Sequence, residues 1–188
     1  MDKEILTDDN LLWKEQSKKT LMNTRVFDIT ETTSLSPDGK SGHFIVAEAP
    51  EWVIVVPELI IENKRSFLMV KQYRHGSRKL SIEFPGGVVD PGESPEKAAH
   101  RELLEETGYK SLEMTELAVL SPNPAIMGNH LHIFCARQLV NTKVQNLDDD
   151  EYLDFMVKSE DELIKKMGTA PYDHALMCAA FDIYRRKR

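Results

Sequence analysis

Residues 86–109 read GGVVDPGESPEKAAHRELLEETGY, a glycine-led loop that runs into a short helix. Ser94 is placed to cap that helix, Pro95 suits its first position, and Gly108 suits the left-handed residue that closes it. Inside it, Glu102, Glu105 and Glu106 crowd together. At about 100° per residue they fall within an arc of roughly 100°, which predicts an acidic front and a greasy back of Ala99, Leu103 and Leu104. Like charges at these spacings repel by roughly 0.2–0.5 kcal/mol per pair, and the C-terminal part of a helix welcomes carboxylates least. Spacing alone leaves two readings open, a solvated helix face or a cage for hard cations such as Mg²⁺ or Mn²⁺.

The segments on either side set the fold class. Strand-like runs at Thr24–Thr32, His43–Ala47, Trp52–Pro57, Ser66–Tyr73 and Lys79–Phe84 precede the helix, and residues 36–42 (SPDGKSG) form a hairpin signal between the first two. Beyond the helix, Glu116–Leu120 and Leu131–Ala136 read as strands around the loop SPNPAIMGN. An acidic loop then leads into another strand in NLDDDEYLDFMV. Ser159 and Glu162 form a capping box for a helix ending at Gly168, and an amphipathic helix runs from about Asp173 into the basic tail. This irregular mixture predicts an α/β (α+β) domain, a mixed sheet packed between helices. The chain is expected to be a single domain over 1–188, with residues 1–48 as an N-terminal arm or β-unit.

Composition narrows the partners. With 188 residues, 41% hydrophobic, 29% charged and a net charge of −7, the chain can bury a real core but suits no nucleic-acid backbone. A nucleotide-sized anion is still allowed, because bound metal or local cations can supply the field. Neither a membrane-length apolar run nor an apolar leader is present, so a cytoplasmic protein with no membrane partner is expected. Cys135 and Cys178 lie far apart in apolar company and read as reduced, packed thiols. His130 and His132 alternate onto one strand face and read as sheet-surface or cleft-lining residues, not a zinc site. Trp52, beside VIVVP, reads as core.

Gly87, Glu93, Arg101, Glu102, Leu103, Glu105, Glu106 and Gly108 stand in the register G-x5-E-x7-R-E-U-x-E-E-x-G-U, where U is bulky and apolar and Tyr109 fills the last place. This pattern resembles the Nudix box. The preceding VKQYRHGSRKLSIEFPGG is similar to the lead-in of ADP-ribose pyrophosphatases and related nucleoside-diphosphate-sugar hydrolases, and Pro124 stands 15 residues past Tyr109, as a proline does in that subgroup.

The resemblance implies an α/β/α sandwich and a metal-dependent hydrolase that splits ADP-ribose or a GDP/UDP-sugar into a nucleoside monophosphate and a sugar phosphate. Glu102 and Glu106 would be the main metal ligands, completed by Glu105 and the Gly86 carbonyl, with Mg²⁺ or Mn²⁺ as the ion. Gly87 would shape the loop, and Glu93 with Arg101 would pin it to the helix. The general base is expected from the acidic segment, Glu151 first, then Asp149 and Asp150, with Glu105 as the alternative. Arg74 would hold the diphosphate, a role that suits its planar fork. Trp13 and Pro124 are candidates at the substrate, and the N-terminal unit would support a homodimer. Two other functions stay open: a non-catalytic sensor of ADP-ribose, and a pyrophosphatase acting on nucleoside triphosphates.

Overall fold

Val53, Ile54, Val55 and Val56 are four consecutive buried apolar residues, as expected of a strand covered on both faces. They belong to β4 (Trp52–Ile61), the centre of the larger sheet. The computed structural model describes residues 7–147 and 152–188. It divides into two compact units: residues through Pro50 with Ser121–Asn129, and Glu51–Leu120 with His130–Arg188.

In the first unit, β1 (Lys14–Asn23), β2 (Asp28–Leu35) and β3 (Ser41–Glu48) form an antiparallel sheet in that order. The second of these begins later than Thr24, because the Thr24 hydroxyl accepts the Val26 and Phe27 amides (3.2 and 3.0 Å) and turns residues 24–27. The first was not expected at all. All ten of its residues are exposed, so it carries no alternation, and its order comes from pairing with β2. Trp13 packs edge-on against Phe44, with ring centroids 5.1 Å apart. The loop holding Pro124 is stapled to β3: the Ala47 amide donates to the Ile126 carbonyl at 2.8 Å and the Gly128 amide to the Ala47 carbonyl at 3.2 Å.

In the second unit, β5 (Lys64–Arg74) pairs β4 through its first residues and β6 (Lys79–Glu83) through its last, while β9 (Leu153–Ser159) lies along its other edge. On the far side of β4, β8 (Leu131–Asn141) runs parallel to it and β7 (Tyr109–Leu120) closes the row. One parallel pair among antiparallel ones makes the sheet mixed, as predicted. Strand β7 starts directly at Tyr109, seven residues before the predicted Glu116.

Helices cover both faces of this sheet. Val53 and Val55 pack with Ala98, Ala99 and Leu103 of α1 (Pro95–Thr107). Ile54 and Val56 pack instead with Met177, Ala180, Phe181 and Tyr184 of α3 (Ala175–Lys187) and with Leu163 of α2 (Glu160–Lys166). This is the expected α/β/α layering. Trp52 is partly buried against the second cluster, Cys135 is buried and Cys178 half-buried, both as free thiols. No helix among the described residues is long and apolar enough to cross a membrane.

The predicted capping box is present in half: the Ser159 hydroxyl accepts the Glu162 amide at 3.3 Å. The Glu162 carboxylate instead gathers Lys166 (2.8 Å), Lys158 (3.1 Å) and the Tyr172 hydroxyl (3.2 Å), and these hold its pKa down to about 2. A depressed carboxylate stabilises the fold fully above its unfolded value and loses that contribution as pH falls through the folded one. Thermal unfolding of Glu162→Gln should therefore be less pH-sensitive than wild type between about 4.5 and about 2.

Candidate active site

Helix α1 begins as predicted, with the Ser94 hydroxyl accepting the Lys97 amide and Pro95 in the first turn, and ends at Gly108 with φ 71°. Its faces differ from expectation. Glu102 (8% exposed) and Glu106 (3%) are buried on the same side as Ala98, Ala99 and Leu103, whereas Leu104 is half-exposed. The acidic front is therefore not solvated: two of its three glutamates lie on the inner edge of the apolar face, and only Glu105 leans outward.

A turn of glycines makes room for them. The glycine loop extends the edge of β4 through Val53 N to Gly87 O (2.9 Å), Gly87 N to Val53 O (3.1 Å) and Val55 N to Pro85 O (2.9 Å). This fixes the loop against the sheet, and the Gly86 amide donates to Glu106 Oε2 at 3.0 Å. A Cβ on Gly87 would stand 2.3 Å from Glu102 Oε1, so glycine is what lets the carboxylate and the loop backbone meet.

Arg101 binds this assembly together. Its Nε and Nη2 donate to both oxygens of Glu93 (3.2 and 2.9 Å), Nη2 also reaches the Val88 carbonyl (2.8 Å), and Nη1 bridges Glu102 Oε1 (2.8 Å) and Glu105 Oε2 (3.2 Å). Glu93, hydrogen-bonded by this guanidinium, is held below the usual carboxylate range, and Arg101 is pushed above its own ordinary value, chiefly by Glu93. The pin between loop and helix expected from the sequence is thus a bidentate ion pair that also touches two candidate ligands.

The far end of α1 is held from outside. Thr142 N (2.9 Å) and its hydroxyl (2.8 Å) donate to the Gly108 carbonyl, Asn146 N to the Glu105 carbonyl (3.1 Å), and the Gln145 side chain to the Glu106 carbonyl (2.5 Å). These bonds satisfy carbonyls that a helix end leaves without intrahelical partners. Asp149, Asp150 and Glu151, the expected source of the base, lie outside the described residues.

Arg74 closes β5, and its Nε and Nη2 donate to Glu83 Oε1 (3.0 Å) and Oε2 (2.7 Å). Glu83 was not singled out in the sequence. It is 2% exposed. Burial alone would raise its pKa, but Arg74, Ser81 and His174 outweigh that and hold it below the ordinary value. A lone acid between Ile82 and Phe84, just ahead of Pro85-Gly86-Gly87, was the signal that could have found it.

Trp13 and Pro124 both belong to the first unit, Arg74 and the box residues to the second. His130 and His132 share Glu51 (both 3.3 Å), and His132 also meets Glu116 at 2.7 Å. His132 lines a cleft with Ser94, Pro95 and Glu96, at the helix end opposite Glu105 and Glu106. Among the described residues, no three His, Cys, Asp or Glu side chains stand in an arrangement ready to hold a metal. The donor chemistry at the glycine loop nonetheless fits a hard divalent cation. Glu102 and Glu106 offer carboxylate oxygens one turn apart, and Arg101 already places positive charge between Glu102 and Glu105.

A family model for the NUDIX domain matches residues 52–177. The chain belongs to the Nudix family. Two curated relatives align over most of its length. The ADP-ribose pyrophosphatase of Bacillus subtilis (strain 168) is 29% identical over 153 residues, 81% of each chain. The Methanol dehydrogenase activator of Bacillus methanolicus is 31% identical over 159 residues, 82% of this chain and 83% of the relative. Among solved structures, the crystal structure of an ADP compounds hydrolase superposes with a TM-score of 0.80 at 23% identity, covering 94% of both chains, which supports the fold. The buried pair Glu102 and Glu106 belongs to the Nudix helix of this family member.

Proposed function

We propose that this Nudix hydrolase cleaves the pyrophosphate bond of a nucleoside diphosphate sugar, ADP-ribose first and GDP- or UDP-sugars next, to a nucleoside monophosphate and a sugar phosphate. The observation that carries it is the pair of buried carboxylates at the glycine loop, Glu106 bonded by the Gly86 amide and Glu102 by Arg101. The curated names ADP-ribose pyrophosphatase and, for a mouse relative, ADP-sugar pyrophosphatase favour this substrate class.

Glu102 and Glu106 would hold Mg²⁺ or Mn²⁺, with Glu105 and the Gly86 carbonyl completing the set. A divalent ion bound there neutralises the diphosphate and acidifies a coordinated water. The protein's own groups do the rest. Arg74 grips the diphosphate oxygens with its guanidinium. Glu93 and Arg101 hold loop and helix in register. The base comes from residues 149–151, Glu151 foremost, with Glu105 as the alternative. Both described flanks of that segment favour this: Asn146 is bonded to the Glu105 carbonyl, and Leu153 pairs with Gln72, two residues before Arg74. Trp13 and Pro124 would contribute at the substrate. Residues 1–48 would serve a homodimer within one functional domain spanning 1–188, a role favoured by exposed Leu21, Met22, Val26 and Ile45, and the setting would be cytoplasmic.

Incubating the protein with ADP-ribose, a GDP-sugar and a UDP-sugar in Mg²⁺ tests the substrate class, with phosphatase-sensitive phosphate as the readout. ADP-ribose should be cleaved, and a chelator should abolish cleavage. Binding of ADP-ribose without cleavage of any substrate would make the protein a binding module instead.

A further inference from the structure

We propose that Glu83 is a positioning residue for catalysis, one that folds Arg74 back from the end of its strand and aims it toward the glycine loop. The inference rests on the reading of Arg74 as the diphosphate ligand.

The register makes the point. Arg74 stands opposite Lys79, whereas Glu83 stands opposite Val70, four positions earlier on β5, or roughly 13 Å along the strand. Residues 70, 72 and 74 share a face with Ser81 and Glu83, because side chains alternate along paired strands. To reach Glu83, the Arg74 side chain must therefore lie back over Gln72 and Ser81, away from the exposed hairpin at residues 75–78. Its guanidinium ends beside a residue only three positions before Gly86. Without that anchor, a long side chain at a strand end would sample solvent.

The partners differ in exposure as a positioning role requires. Glu83 is buried (2%), while 44% of the Arg74 side chain stays exposed. Both Glu83 oxygens are engaged in the fork, and His174 Nδ1 approaches Oε2 at 3.3 Å from the start of α3. A two-point fork fixes the plane of the guanidinium as well as its place. A buried ion pair is also weak evidence for stability, since apolar residues of similar volume in place of the whole pair are often neutral or better. Orientation of Arg74 gives this one a purpose that stability does not.

The test is a double-mutant cycle, read as KM and kcat for ADP-ribose and as Kd for its α,β-methylene analogue, since KM equals Kd only when chemistry is slow. Glu83→Gln should raise KM and the analogue Kd by about tenfold, the size of one lost charge-assisted contact, with kcat changed far less. In an Arg74→Ala background the same substitution should add less than about twofold. Equal effects of Glu83→Gln in both backgrounds, or a wild-type KM and Kd in the folded variant, would overturn the positioning role alone. A wild-type KM in Arg74→Ala would remove the diphosphate role of Arg74 itself. If Glu83→Gln does not fold, Glu83→Asp keeps the charge and retracts it by one methylene. It should then raise KM by a smaller factor, and a folded Glu83→Asp protein with unchanged KM and Kd overturns the proposal.

Discussion

Replacing Glu106 by Gln should lower kcat for ADP-ribose by about 10²–10³-fold, the scale seen when one preorganised electrostatic group is removed from an active site, while leaving the fold intact. The conservative variant isolates charge from shape. Glu106 is 3% exposed and receives the Gly86 amide on Oε2 at 3.0 Å. A glutamine oxygen can still accept that bond, so the loop keeps its anchor while the negative charge is lost. Steady-state kinetics against Mg²⁺ concentration, with a melting temperature as the control, decide the matter. Turnover equal to wild type at every Mg²⁺ concentration would remove Glu106 from the metal site.

Arg101→Ala should be the most damaging single change to the site's architecture. It leaves Glu93, Glu102 and Glu105 facing one another without the guanidinium that now bonds all three. Removing one partner of a fully buried pair costs about 3–5 kcal/mol. The Arg101 side chain is 28% exposed, so solvent screening cuts this to about 2 kcal/mol. In a chain of this size that is a fall of about 4–8 °C in melting temperature. Mg²⁺ should restore part of the loss in the variant and do less for wild type, because a divalent cation supplies the missing charge. Calorimetry with and without Mg²⁺ reads both effects, and an unchanged melting temperature would show that the arginine fork holds nothing together.

The parts of the fold that were legible in the sequence are those whose cause is local. Ser94, Pro95 and Gly108 mark the bounds of α1 because capping depends on residues within one turn. The VIVV run of β4 announces two covered faces. Strand β1 was illegible because KEQSKKTLMN has no buried side and is ordered by its neighbour's backbone. The glutamates are legible in their spacing, but their burial is not. Helical periodicity says which residues share a face, but which face meets the sheet depends on where Val53 and Val55 lie, and they are far away in the chain. Glu83 escaped for a related reason: its meaning depends on Arg74 reaching across four strand positions.

The borrowed bonds at the end of α1 carry one more consequence. Thr142, Gln145 and Asn146 supply the donors that the carbonyls of Glu105, Glu106 and Gly108 lack within their own helix. The last turn of the helix therefore cannot fray by itself, and opening it means releasing the 142–146 segment in the same event. Local unfolding here is shared between two stretches more than thirty residues apart, so the lifetime of this helix turn is set as much by that segment as by the helix itself.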